Sequence, residues 1–187
     1  MAKVLFVNPV VRQEDVPRHV PYGIALLAAI AVEEGHLVQV YDHNAWRKGD
    51  DVLHQVFQAD DWEVIAIGGI TTQYGSIKNI VSIAREQCPN ALIVLGGGVL
   101  TSLPKEIMTW LKEVDVGVIG EGFVTFPEIL SKCDEGNKDW GSIAGTISRN
   151  GNGGFVYGPQ RELIEDLDAL PYPAWDLFPL EEVYFPN

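Results

Sequence analysis

The chain has 187 residues, 47% of them hydrophobic, and a formal charge of −13, which suits one domain of ordinary size with a real core. The acidic balance argues against a nucleic-acid partner, because phosphate binding needs a positive footprint. No apolar run approaches a membrane span, and residues 1–8 lack the apolar region and cleavage site of a signal peptide, so a cytoplasmic location without membrane contact is expected.

Lys3 to Asn8 reads as a first strand with Val4-Leu5-Phe6-Val7 as its body, broken by Asn8-Pro9. A polar loop from Val10 to about Val20 follows. It is longer than the usual ~2–6 residues between a strand and a helix, and long loops of this kind are often functional. Pro21 suits the start of a helix running to about Glu34, and Gly35 suits its end. A second strand covers Leu37 to Tyr41 and ends at Asp42, and a helix carrying Val52, Leu53, Val56 and Phe57 follows.

Val64 to Ile67 forms a third strand that runs into Gly68-Gly69. Its helix spans about Ser76 to Gln87, with Ser76 placed to cap it. Ala91 to Leu95 is a fourth strand, ended by Gly96-Gly97-Gly98, and a helix over about Pro104 to Lys112 comes next. Val114 to Ile119 is a fifth strand, ended by Gly120-Glu121-Gly122, with a helix from about Thr125. Five strand–helix units with connections that fit right-handed crossovers predict an α/β fold: a doubly wound five-stranded parallel sheet of flavodoxin-like or Rossmann-like type, order 2-1-3-4-5. That order opens a crevice between strands one and three, beside the long loop and the glycine-ended strands. Glycines there let a ligand lie directly on the backbone.

Past residue 135 the pattern changes. Ala144 to Ser148 and Gly154 to Tyr157 flank a glycine-rich tip and predict a β-hairpin. Residues 159–187 read as an extended acidic tail with Pro171, Pro173, Pro179 and Pro186, and with Trp175, Leu177, Phe178, Tyr184 and Phe185 looking exposed. The expected division is therefore 1–135, 136–158 and 159–187, the last packing back on the sheet or leading to a further domain.

No nucleophile–base pair stands out. Cys88 and Cys133 are 45 positions apart without metal-ligand spacing, so no zinc or iron–sulfur site is expected from this chain. His36 sits where a helix ends and positive charge is favoured; His54 reads as a solvated helix residue; Asp42-His43 reads as a polar turn. His19 lies in the long loop that reaches over the crevice. Neither a dinucleotide G-x-G-x-x-G pattern nor a P-loop is present. Gly120-Glu121-Gly122 opens a helix and can offer N–H groups to an anion. Thr71, Thr72, Gln73 and Tyr74 offer hydroxyl, amide and phenol groups at the crevice, more than one helix cap needs.

Several segments together resemble the cobalamin-binding domain of cobalamin-dependent radical SAM proteins. They are Val7-Asn8-Pro9, the run Pro21-Tyr22-Gly23-Ile24-Ala25-Leu26-Leu27-Ala28-Ala29, Gly35-His36, Gly68-Gly69-Ile70-Thr71, Gly96-Gly97-Gly98, and Gly120-Glu121-Gly122 with Thr125. Ile164 to Pro171 and Pro173-Ala174-Trp175-Asp176 complete the resemblance, which covers essentially the whole chain. Phe123 departs from it, standing where the family often has a second glutamate.

The resemblance implies a crevice holding cobalamin, with the nucleotide tail near Thr71, Thr72 and Gly96 to Gly98. The loop from Asn8 to Tyr22 would approach the corrin, and Gly120 to Gly122 would border the pocket. The cofactor-binding candidates are Asn8, Pro9, Tyr22, Gly23, Gly69, Ile70, Thr71, Thr72, Gln73, Gly96, Gly97, Gly98, Gly120, Glu121, Gly122 and Thr125. The D-x-H-x-x-G loop that supplies a histidine to cobalt in the methionine-synthase type is missing: Pro17 stands two before His19, and Gly23 is four after it. The implied state is base-off without histidine, leaving His19 a weak candidate for a cobalt ligand. A radical SAM domain would follow the tail, bringing S-adenosylmethionine and a [4Fe-4S] cluster, and the cobalamin would serve methyl transfer to a substrate radical. This chain alone would catalyse nothing. The alternatives are an interaction module docking a partner through its apolar tail, a flavin or nucleotide binder at the same switch point, and a receiver-like domain. The last is disfavoured by Asn8 and Gly68-Gly69 at the ends of strands one and three.

Overall fold

The computed structural model describes residues 1–17 and 19–185. Five parallel strands form the sheet's larger part: β1 (Lys3–Asn8), β2 (Leu37–Asp42), β3 (Val64–Gly68), β4 (Leu92–Gly96) and β5 (Val116–Val118). They lie in the order β2-β1-β3-β4-β5. The sheet differs from the five-stranded expectation at its far edge. The hairpin strands β6 (Thr146–Arg149) and β7 (Phe155–Tyr157) are not a separate appendage but continue the same sheet antiparallel, giving seven strands. Gly117 explains how β6 comes so close: a Cβ there would meet Ile147 and Leu100 at 2.7 Å.

Among the described residues seven α-helices flank the sheet: α1 (Tyr22–Glu33), α2 (His43–Trp46), α3 (Asp50–Gln58), α4 (Tyr74–Gln87), α5 (Gly98–Ser102), α6 (Pro104–Trp110) and α7 (Gly122–Asp134). The short α2 and α5 are additions to the sequence reading. Ser76 lies inside α4 rather than capping it, because a 3-10 turn over Thr71–Gln73 leads straight into Tyr74. The Ser76 hydroxyl instead accepts from the Val10 N–H at 3.1 Å and holds the long first loop.

Alternation along the strands divides the core in two. Leu5, Val7, Ile65, Ile67, Ile93 and Leu95 face α3, α4, α5 and α6. Val4, Phe6, Val64, Ala66, Val94, Val116 and Val118 face α1 and α7.

The tail folds back on this second side. The Ala174 N–H donates to the Ala25 carbonyl of α1 at 3.0 Å, Phe178 is buried, and Trp175, Leu177 and Leu180 pack against the same core. Tyr184 reaches Asp42 at the end of β2. Of the apolar groups read as exposed, Phe185 is solvent-facing and Trp175, Leu177, Phe178 and Tyr184 are not. Pro186, counted with the tail, lies outside the described residues.

Candidate functional site

Register creates a hollow on the α1/α7 side of the sheet. One cross-strand row reads Phe6, Ala66, Val94, Val116. The next position that points the same way puts Gly68 opposite Gly96, between Asn8 at the end of β1 and Val118 of β5. Two adjacent glycines above an alanine leave that face thin where α1 and α7 would otherwise rest on side chains. The result is a cleft of about 510 Å³ opening at the carboxyl edge of the strands, inside the range of small-molecule sites. Gly23, Ile24 and Leu27 of α1 form one wall, Gly122, Phe123 and Phe126 of α7 the other. Phe6 and Phe126, ring centroids 5.3 Å apart, close the bottom.

The lining is mainly apolar, and no described lysine or arginine lines it. Its polar contribution comes from Asn8, Gln73, Glu121, His19 and backbone at the glycine turns. The first turn of α7 leaves N–H groups without intrahelical acceptors at the rim.

The glycines differ in purpose. Gly97 has φ +82°, and a Cβ on it would lie 2.6 Å from the Gly69 carbonyl oxygen and 2.9 Å from the Gly69 nitrogen. Its bareness is required by the neighbouring strand end, which also accepts the Val99 N–H at 3.0 Å. Gly120 has φ +78° with open space around it, and its N–H donates to Thr101 Oγ1. A Cβ on Gly98 would meet only ordinary contact from Ile70 at 3.7 Å.

The cleft gathers Asn8, His19, Gly23, Gly69, Ile70, Gln73, Gly96, Gly97, Gly98, Gly120, Glu121 and Gly122 from the sequence candidates. Pro9, Tyr22, Thr71, Thr72 and Thr125 fall off its lining, each for a visible reason. The Pro9 carbonyl accepts from Gln73 Nε2, while Gln73 Oε1 accepts from the Ile70 N–H at 2.8 Å. Gln73 therefore ties the first loop to the turn after β3 with both ends of its amide. Tyr22 packs its ring on Trp175 at 6.0 Å. Thr71 and Thr72 sit on the exposed side of their turn. Thr125 is fully buried, donating to the Ala144 carbonyl and accepting from Arg161 Nε. The sequence reading missed Phe6, Ala66, Val94, Val118, Phe123 and Phe126, which look like ordinary core in a linear sequence.

The long loop is fastened rather than loose. Its Val11 N–H donates to Asn44 Oδ1, and the Arg47 guanidinium bonds to the Arg12 and Gln13 carbonyls. His19 is exposed at the cleft.

The other histidines have separate roles. His36 Nδ1 accepts the Ala2 N–H at 3.0 Å, which fastens this buried ring to the chain entering β1. Asp42-His43 is buried and opens a helix instead of forming the expected polar turn: Asp42 caps α2 through the Ala45 N–H. Burial pushes the His43 imidazole below its ordinary value, partly opposed by Asp50 and Asp42. Burial, and then the hydrogen bond to Asp42, push the Tyr184 hydroxyl far up, so it stays a donor. Among the described residues no cluster of three or more His, Cys, Asp or Glu could hold a metal ion, and no helix is long and apolar enough to cross a membrane.

A family model for the B12 binding domain matches residues 10–130. The chain belongs to the B12-binding domain family. Cobalamin is the cofactor of that family, and the match spans α1, β2 to β5 and most of α7, with the cleft residues Phe6 and Asn8 of β1 just outside it. The chain is 28% identical over 162 residues to an uncharacterized methyltransferase of Pyrococcus horikoshii, covering 87% of this chain and 35% of that protein. It is 27% identical over 111 residues to the cobalamin-dependent radical SAM methyltransferase TokK of Streptomyces tokunonensis, covering 59% of this chain and 16% of that one. Its fold is that of a part of the radical S-adenosylmethionine methyltransferase TsrM of Kitasatospora setae, solved with cobalamin and a [4Fe-4S] cluster. The TM-score is 0.75 at 23% identity, over 92% of this chain and 31% of that one. It also matches the cobalamin-dependent S-adenosylmethionine radical enzyme OxsB, TM-score 0.77 at 14% identity, over 95% of this chain and 24% of that one. The chain thus spans about a third or less of the length of these proteins.

Proposed function

We propose that this chain holds cobalamin in the cleft, base-off and without a histidine on cobalt, as the cofactor module of a radical SAM methyltransferase. The observation that carries the reading is the hollow under Gly68 and Gly96, between the sheet and helices α1 and α7. A flat, uncharged group enters such a slot against Ala66, Val94, Leu27 and Phe126 without needing a cationic clamp. The bare backbone at Gly96 to Gly98 and Gly120 to Gly122 leaves room for a bulky ring at the mouth and offers it N–H and C=O groups. When bound, the cofactor supplies a cobalt-borne methyl group for transfer. The chain's own part is to orient it and shield it from water.

The missing D-x-H-x-x-G loop supports a cobalt without imidazole. On the same reading a radical SAM portion, with S-adenosylmethionine and its cluster, belongs to the same protein, and the resemblance of the tail from Ile164 to Asp176 supports a C-terminal position for it. The interaction-module alternative is weakened by the tail, because Trp175, Leu177 and Phe178 already pack on the α1 side of the core.

The test is reconstitution with hydroxocobalamin, desalting, and electron paramagnetic resonance after reduction to Co(II). Corrinoid near one per chain, without nitrogen superhyperfine splitting, is expected. A nitrogen triplet that disappears in His19→Ala would overturn the ligation reading and keep the binding one.

A further inference from the structure

Asn8 stands at the mouth of the cleft, buried to 4% exposure, at the end of the central strand β1. Its Nδ2 donates to Asp42 Oδ1 at 2.8 Å. The same Asp42 oxygen accepts the Ala45 N–H at 3.0 Å, and its other oxygen accepts the Tyr184 hydroxyl at 2.6 Å. A carboxylate presents only acceptors, so the amide must turn its nitrogen toward Asp42 and its carbonyl oxygen away. No described residue donates to that Oδ1. Among the described residues the sealed and unpartnered side-chain atoms are Tyr41 Oη and His43 Nδ1, not Asn8 Oδ1, and Asn8 is part of the cleft lining.

We propose that Asn8 is a fixed hydrogen-bond acceptor of the cleft that selects a neutral N–H or O–H donor on the ligand, and that Asp42 and Tyr184 are positioning residues that lock its orientation. Resting on the cofactor reading above, the donor is a side-chain amide of the corrin or a hydroxyl of the nucleotide tail. A carboxylate at that point on the ligand is rejected, because two acceptors would face each other. The tail segment thereby acts on the cleft through Asp42, across the end of β2.

The experiment measures retention of three probes by the full chain and its variants: hydroxocobalamin, diaquocobinamide, which keeps the amides and lacks the nucleotide, and cobalamin monocarboxylic acids. In Asp42→Asn the residue at 42 can donate, Asn8 can turn its NH2 into the cleft, and the preference for cobalamin over the acids should fall about 3–10-fold, as for one hydrogen bond. Tyr184→Phe, which keeps the ring, should lower the same ratio by about 2-fold to 3-fold. A purely structural role would weaken all probes alike and leave the ratio unchanged, which would overturn the proposal. Asn8→Leu should lose about 10-fold for cobalamin. An equal loss for cobinamide assigns the donor to a corrin amide, and a loss for cobalamin alone assigns it to the nucleotide. An unaltered affinity for both would overturn the proposal while leaving the cofactor reading intact. A wild-type chain retaining no corrinoid would overturn the cofactor reading and the ligand class together.

Discussion

The two faces of the sheet come from the same strands, yet one is filled and the other is hollow. On the α3/α4 side, β1, β3 and β4 present Leu5, Val7, Ile65, Ile67, Ile93 and Leu95, long aliphatics that pack into one continuous cluster. On the α1/α7 side the alternate positions of β3 and β4 hold Ala66, Gly68, Val94 and Gly96. Helices lie on both faces, so the difference is in side-chain volume, not in architecture. Both faces carry core, and only the second leaves a cavity at the carboxyl edge of its strands.

That contrast is tested most severely at Gly97, which belongs to both roles. Gly97→Ala forces a methyl onto the Gly69 backbone at φ +82°. It should cost at least about 4 kcal/mol of stability in urea unfolding, with cofactor retention lost as a consequence. Ile65→Ala on the filled face should cost about 3 kcal/mol. Ala66→Leu, its sequence neighbour on the hollow face, should change stability by less than about 1 kcal/mol while abolishing corrinoid retention, because the new side chain has the cleft to occupy. Equal destabilisation by the two changes would mean the hollow face is as tightly packed as the other.

A smaller effect is expected from pH. The buried His43 is held below its ordinary value, so the unfolded chain takes up a proton at about pH 6.5 before the folded chain does. Stability is then full above that pH and falls as pH drops through the folded value, and His43→Gln should flatten this limb in denaturant midpoints measured between pH 7.5 and 5.5. Smallest of all is the thiol chemistry. Burial pushes both Cys88 and Cys133 up, so each should alkylate more slowly than free cysteine at pH 8, as followed by mass spectrometry.

The strands of this fold are plain in the sequence because each is an aliphatic run stopped by glycine or by Asn-Pro, and their order follows from right-handed crossovers. The cleft is less legible. Ala66 and Val94 read as core, and only the pairing of Gly68 with Gly96 shows that two gaps coincide. Thr71 and Thr72 offer hydroxyls in a linear reading, and in the fold they are exposed on their turn, outside the cleft lining. Thr125 looks like part of the Gly-Glu-Gly pocket, but the fold-back of the chain at Ala144 and Arg161 claims its hydroxyl. The Asn8–Asp42 pair carried a signal that could have been used: two polar residues end adjacent parallel strands, and in-register pairing must bring them side by side. What the sequence could not supply was Tyr184, which is 142 residues away from Asp42.

The assignment of cobalamin to the hollow face rests on the space beside Ala66. It is tested most directly by incubating the wild-type chain and Ala66→Leu with hydroxocobalamin, desalting both, and reading the visible spectrum against protein concentration. Close to one corrinoid per wild-type chain and none on a folded Ala66→Leu is the expected result. A colourless wild-type protein, or equal retention by the filled variant, would contradict it.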